Sequence, residues 1–254
     1  MTVAEFYKKL NELYSPSLSC SWDNDGLMCS ADMSKDVKRV LTTMDVTDAC
    51  LEYAKANGFD LILSHHPMIF KGLKSVTEGS LNASQVIFCI VNGISVISLH
   101  TRLDAGENGV NDCLAQKLGL EEISTFGDEE SPTLGRIGTI DPMSSEDFAA
   151  MVRDALGCKT VNAYLSNKTI TKVAVVGGGA SDFAYPALKV GADAFVCGEC
   201  RYNTALDAAD SGLTVIEAGH YASEFPVCKR LAELAQTIAE AETEIYEIKT
   251  FKQI

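Results

Sequence analysis

The sequence contains four histidines. His65 and His66 follow the apolar run LILS, His100 follows ISVISL, and His220 follows LTVIEA. Histidines serving only packing or solubility would scatter over helices and loops, whereas all of these stand where short apolar segments end. Imidazole is the commonest metal-ligating side chain and titrates near neutral pH. Histidines at equivalent positions therefore point to one shared site. Two carboxylates repeat a spacing: Asp104 comes four residues after His100, and Glu224 four after His220. If a helix begins after each strand, four residues make about one turn and both side chains share a face. Carboxylates can bridge ions and balance their charge.

His65 and His66 are neighbours, and in an extended chain neighbouring side chains point in opposite directions. The expectation is that each reaches a different one of two ions, with Pro67 keeping His66 out of helical geometry. Neutral imidazoles at His65, His66 and His220 with carboxylates at Asp104 and Glu224 leave two divalent cations under-neutralised. That excess attracts water, hydroxide or an anionic substrate, and lowers the pKa of a bound water. His100 and Glu199 are the candidates for moving protons. The mixed ligand set suits Zn, Fe, Mn, Co or Ni without choosing among them. Ser223 and Tyr221, inside GHYASE, are placed to orient ligands from behind.

Positioning these residues requires strands that end together. Helical spacing is expected over 2–13, 48–57, 80–92, 109–118, 144–156, 182–190, 202–210 and 224–240. Strands are expected over 37–46, 59–64, 94–99, 135–140, 172–176, 194–197 and 213–217. Such alternation implies an α/β fold with mainly parallel sheets flanked by helices. An internal repeat supports two similar halves, near 1–125 and 126–254, facing each other across a dinuclear site. A shift of 133 residues lays VKRVLTTMD over ITKVAVVGG and GFDLILSHH over GADAFVCGE. Gly58 then meets Gly191, Asp60 meets Asp193, and His66 meets Glu199. Ligands in such sheets gather beyond the carboxyl ends of the strands.

The formal charge of −14 argues against a general nucleic-acid-binding surface, which needs Lys and Arg. No apolar run is long enough to span a bilayer, and the N-terminal segment lacks the layout of a signal peptide. The cytoplasm is the expected compartment. The nine cysteines are odd in number and mostly set among apolar residues, which fits reduced, buried thiols. Cys197 and Cys200 form a CxxC without the aromatic and proline neighbours expected of a redox pair. GGGAS (177–181) reads as a tight turn, with a phosphate cradle as the rarer alternative. SWDNDGL (21–27) reads as a loop with Trp22 packed at its base, and whether Asp23 or Asn24 reaches the site stays open. The run 232–244 reads as a helix with an acidic face.

The segments SWDNDGL, LILSHHPMIF, LHTRLDA, GGGAS, GECRYNTALDA and GHYASE occur in this order. Together they resemble the Nif-three-like family, the GTP cyclohydrolase I type 2 homologues, from about residue 3 to 250. The resemblance implies the same five metal ligands, His65, His66, Asp104, His220 and Glu224, with His100 a nearby polar residue. It also implies two α/β halves, ring-shaped hexamers, and a short form without the inserted domain of some members. Two positions depart from the pattern. Arg102 stands where Asn is common in HTxLD, and the stretch Arg201–Thr204 lacks a histidine often found before ALDA. Both arginines read either as positive charge beside the metals, suited to a phosphate-bearing ligand, or as solvated surface residues.

The function implied is a metal-dependent hydrolase acting on a nucleotide or phosphate-bearing small molecule, with GTP ring opening suggested by resemblance. Turnover itself is left open, because fold and family do not fix substrate. The alternative is a non-catalytic metal-handling protein or regulatory adaptor.

Overall fold

The protein is described here in a computed structural model, over residues 1–248. Residues 249–254, which end the half expected over 126–254, lie outside the described residues. The described strands are β1 (Gly26–Cys29), β2 (Arg39–Thr43), β3 (Leu61–Ser64), β4 (Ser95–Ser98), β5 (Glu121–Phe126), β6 (Gly135–Met143), β7 (Asn162–Tyr164), β8 (Ile170–Gly179), β9 (Ala194–Glu199), β10 (Thr214–Glu217) and β11 (Glu242–Ile245). The α-helices are α1 (Val3–Leu13), α2 (Asp48–Ala56), α3 (Leu81–Asn92), α4 (Thr101–Ala105), α5 (Val110–Lys117), α6 (Ser145–Leu156), α7 (Ala184–Lys189), α8 (Tyr202–Asp210), α9 (His220–Glu224) and α10 (Val227–Ala239). No helix among the described residues is long and apolar enough to cross a membrane.

The fold is α/β with two sheets flanked by helices. Over the described residues the chain divides into two compact units, one comprising Met1–Leu103 with 228–248, the other Asp104–Val227. These units are cut differently from the repeat-based halves at 1–125 and 126–254, because the chain leaves the first unit within α4 and re-enters it at the start of α10.

The first unit carries a sheet in the order β1-β4-β3-β2-β11. All neighbours are parallel except β1, which runs antiparallel to β4. Its central strands β3 and β4 are short and fully buried, as parallel strands covered on both faces must be. Leu41, Ile62 and Val96 from the strands pack with Cys50, Leu51 and Ala54 of α2 and Cys89 of α3. Helix α1 begins in a capping box, with Thr2 accepting from the Glu5 N–H and Glu5 reaching back to the Thr2 N–H.

The second unit carries a sheet in the order β5-β6-β8-β9-β10-β7. Strands β8, β9 and β10 are parallel; β5, β6 and β7 are joined by antiparallel pairings. Val173, Val175, Val196 and Ile216 pack with Phe148 and Val152 of α6 and Leu114 of α5.

One device recurs at the 133-residue interval. In the first unit the Asp60 carboxylate accepts the backbone N–H groups of Lys38 and Arg39, both at 3.0 Å. In the second, Asp193 accepts those of Thr171 and Lys172, at 3.0 and 2.9 Å. Each aspartate sits before one parallel strand and fixes the start of its neighbour, so each sheet is put in register at the end opposite the histidines.

Several local expectations change. Residues 21–27 are not all loop, since Gly26 opens β1. The helix expected over 224–240 is two helices, α9 and α10, because Pro226 cannot continue the hydrogen-bond ladder. The acidic helix expected over 232–244 stops at Ala239. Glu240 adopts a positive φ of 53°, and β11 follows, parallel to β2.

Candidate metal centre

In the first unit, β3 ends at Ser64 and delivers the two adjacent histidines. The β2–β3 ladder continues past the strand ends, with His65 N–H donating to the Thr43 carbonyl at 3.1 Å and His66 N–H to Met44 at 2.8 Å. Ser64 Oγ, 2.8 Å from Ser98 Oγ and 2.9 Å from the His66 carbonyl, braces the turn. The backbone bends at His65 and His66. The extended pair expected from the sequence is thereby corrected: the neighbouring rings lie 4.8 Å apart instead of diverging. His100, directly after β4, completes the group, 5.4 Å from His65 and 5.6 Å from His66 between ring centroids. Donor atoms of His65, His66 and His100 all lie within 4.8 Å of one another, a set that could hold a metal ion. His100 is thus inside the histidine cluster.

Each of these rings has an oxygen acceptor at Nδ1. The Leu99 carbonyl lies 3.0 Å from that of His65, which is fully buried. Asp45 lies 2.8 Å from that of His66, and Asp23 lies 2.8 Å from that of His100. A carbonyl can only accept, so it fixes the proton on His65 Nδ1 and leaves the lone pair on Nε2. Carboxylates impose the same tautomer on the other two. An imidazole held this way presents Nε2 in a fixed direction, the arrangement that supports metal ligation. Asp23 also accepts from Thr101 Oγ1 at 2.6 Å and Thr101 N–H at 3.1 Å. Its side chain is buried, which disfavours the carboxylate, but the hydrogen bonds from His100 and Thr101 outweigh burial and hold it down to about 2. Of Asp23 and Asn24, Asp23 is therefore the one bonded to a histidine of the cluster. Asp45 also supports the cluster, and sequence reasoning missed it; the signal was its place at the end of a strand next to the one carrying His65.

In the second unit, β10 leads through Gly219 into α9, whose first and last residues are His220 and Glu224. One helical turn brings His220 Nε2 to 3.2 Å from Glu224 Oε2, as the four-residue spacing implied. Glu199, at the end of β9, places Oε2 3.5 Å from His220 Nδ1. This is an ion-pair distance, longer than the Nδ1 hydrogen bonds of the other three histidines. Glu224 is buried and Glu199 exposed. Ser223 Oγ donates to the His220 carbonyl at 2.9 Å and accepts the Gly178 N–H at 3.1 Å, tying α9 to the end of β8. Tyr221 instead stacks on Phe225, 4.9 Å between centroids.

The glycines of GGGAS have a steric role here. Gly178 has φ +67°, and a Cβ built on it would stand 2.2 Å from Glu224 Oε1 and 3.2 Å from His220 Nε2. The run makes room for that carboxylate. Asp104 lies in α4. Asn111 Nδ2 donates to the Asp104 carbonyl at 3.2 Å, while Asn111 Oδ1 accepts the Gly177 N–H at 2.8 Å. Buried Arg136 donates to the carbonyls of Ala105 and Gly106 at 3.1 and 3.0 Å and pairs with Asp112. These bonds fix the backbone around Asp104.

The arginine expectations resolve differently from one another. Arg102 is buried, and its guanidinium makes a two-point contact with Asp25 at 2.8 and 2.6 Å and a bond to Asn11 at 2.8 Å. Its charge is consumed inside the first unit, so Arg102 is neither a solvated surface residue nor an open anion contact. Arg201 is exposed and paired with Asp182. Of the nine cysteines, Cys29, Cys50, Cys89, Cys197, Cys200 and Cys228 are buried. The thiols of Cys197 and Cys200 share a hydrogen bond; with burial it pushes Cys197 well up, and at Cys200 it outweighs burial and draws the thiol down.

With this geometry in place, comparison with known proteins is informative. The Duf34/NIF3 (NGG1p interacting factor 3) family model matches residues 1–253. A Clostridium perfringens protein named GTP cyclohydrolase 1 type 2 homolog is 28% identical over 99% of this chain and 98% of its own length. A Nostoc protein of the same name is 31% identical over 94% of this chain and 92% of its own. Among solved structures, a hypothetical protein of Staphylococcus aureus superposes with a TM-score of 0.91 at 28% identity, covering 100% of this chain and 99% of that one. A Bacillus cereus protein related to NIF3 gives 0.89 at 20% identity over 100% and 99%, a likeness of fold.

Proposed function

Because the chain belongs to the Duf34/NIF3 family, we propose that it binds two divalent metal ions and uses them to hydrolyse a nucleotide or another phosphate-bearing small molecule. His65, His66, Asp104, His220 and Glu224 are the ligands. The observation that carries this reading is the oxygen acceptor at Nδ1 of each of His65, His66 and His100. A histidine needed only for packing does not require this; a set of donors aimed through Nε2 does. The glycine gap kept open for Glu224 supports it as well. The donor set fits a borderline cation, since imidazole nitrogens and carboxylate oxygens suit Zn, Fe, Mn, Co or Ni.

Divalent ions bound there would supply Lewis acidity and a water of lowered pKa. The protein's own residues supply orientation and proton handling. Asp45 and the Leu99 carbonyl hold His66 and His65 in the ligating tautomer. His100 and Glu199 are the groups proposed to move protons. His100 is held in orientation by Asp23, 2.8 Å from its Nδ1. Glu199 is exposed to solvent. The relatives' name, GTP cyclohydrolase 1 type 2 homolog, makes a purine nucleotide the first substrate to try.

The test is elemental analysis of purified wild-type protein and of His65→Ala and Glu224→Ala variants at neutral pH without chelator. Two equivalents of metal per chain in wild type, falling in each variant, is the expected result. A metal-free wild type sinks the proposal. Release of formate or phosphate from nucleotides, dependent on added metal, then separates a hydrolase from a metal-handling or adaptor protein, which would bind metal without product.

A further inference from the structure

The chain has a single tryptophan, and it is not where a sole tryptophan is expected. Trp22 is 59% exposed and Phe70 is 47% exposed. Scattered exposed apolar residues are ordinary, but two large aromatic rings exposed together beside a polar cluster are not. Both border the histidine cluster. Trp22 lies 6.0 Å from His100 between centroids and Phe70 lies 6.1 Å from it, both edge-on, and the two aromatics lie 6.1 Å apart. The exposure does not come from a loose loop. The next residue, Asp23, is pinned to His100 and Thr101 with its side chain buried. Asn24 donates to the Ile69 carbonyl, one residue before Phe70. Cys20 N–H donates to Thr101 Oγ1 at 2.9 Å. Trp22 and Phe70 are therefore held in place from both sides while their rings remain open to solvent.

We propose that Trp22 and Phe70 form a stacking wall for a flat nitrogen heterocycle of the substrate, positioning it beside the histidine cluster. The wall deepens the reading of that cluster as the working site and rests on it. Aromatic rings offer area and a π face at low cost in side-chain entropy, and bases stack on them with little regard to sequence. The geometry also says how the ring sits. A heterocycle sandwiched between two rings needs them parallel and about 7 Å apart, twice an ordinary ring-to-ring contact. Trp22 and Phe70 are tilted by 59° and already touch at 6.1 Å between centroids. The ligand ring therefore lies on the outer face of the wall rather than in a slot. The net charge of −14 argues against a nucleic-acid strand as the occupant and favours a small molecule.

Because Trp22 is the sole tryptophan, its fluorescence reports the contact without any need for turnover. The full-length protein, with its metal content measured on the same preparation, is titrated with GMP and with ribose 5-phosphate under red-edge excitation that guanine does not absorb. GMP is expected to quench saturably, and ribose 5-phosphate is not. By calorimetry, Trp22→Leu and Phe70→Leu should each weaken GMP by about tenfold, Trp22→Phe should retain most of the affinity, and ribose 5-phosphate should be unchanged throughout. Absence of quenching by GMP, equal quenching by ribose 5-phosphate, or undiminished GMP affinity in Trp22→Leu overturns the wall. So does a Trp22→Leu protein whose oligomeric mass changes while GMP affinity does not, because the ring would then serve a second copy of the chain. A protein that contains no metal yet shows the expected quenching sinks the metal reading and leaves the wall standing.

Discussion

Room for a single carboxylate decides the backbone at Gly178. Any β-carbon there would collide with Glu224 Oε1 and would also force a side chain into positive φ. The two effects can be separated, because Gly157 has nearly the same φ, +68°, with nothing within 4 Å of its would-be Cβ. Gly157→Ala should cost about 1 kcal/mol of stability, the strain alone, and leave metal content intact. Gly178→Ala should cost about 1–2 kcal/mol more and lower metal content, as read by chemical denaturation and elemental analysis. Equal effects from the two variants would remove the steric role assigned to Gly178. At this scale the histidines and Glu224 are legible in the sequence, because their scarcity and four-residue spacing are one-dimensional facts. Asp45 and Asp23 are not, since each meets its histidine only through strand pairing or loop closure. Arg102 is misread for the same reason: its partner Asp25 is 77 residues away in the chain.

Among the elements, the buried parallel strands β2, β3, β4, β8, β9 and β10 announce themselves through unbroken apolar runs. The strands that escape, β1, β5, β7 and β11, lie at sheet edges and are short or polar, as edges that resist aggregation must be. They carry no burial signal for a sequence pattern to register. The Gly-x-Asp repeat is the exception in which sequence identity foretells a hydrogen-bond pattern. Asp60 and Asp193 are both held below the ordinary carboxylate range. Burial opposes this in each case; Lys35 with two backbone N–H groups overcomes it at Asp60, and Thr171 with two backbone N–H groups does so at Asp193. A carboxyl depressed in the folded state contributes stability above its unfolded pKa of about 3.9 and loses it as pH falls through the lower folded value. Asp60→Asn and Asp193→Asn should each destabilise by about 1–2 kcal/mol at pH 7. The gap from wild type should shrink as the pH of a urea titration is lowered below about 4. A gap that stays constant over that interval would show the charge to be irrelevant.

For the molecule as a whole, the family resemblance gives the expectation of a hexamer, and native mass spectrometry tests it directly: six times the 27.3 kDa chain. A mass equal to one chain refutes it. Net charge and the absence of long apolar runs were readable without any structure, whereas the path of the chain was not, because nothing local marks the return at Cys228.

That return has a consequence for biosynthesis. The first unit's sheet is completed by β11, and β11 pairs with β2 across about two hundred intervening residues. At ribosomal rates of roughly 5–20 residues per second, the open edge of β2 waits about 10–40 s for its neighbour to emerge. The described part of the second unit, which runs unbroken from Asp104 to Val227, is synthesised before that. The part of the protein that is made first is thus the part that is finished last, and during synthesis β2 is the edge a chaperone would need to guard.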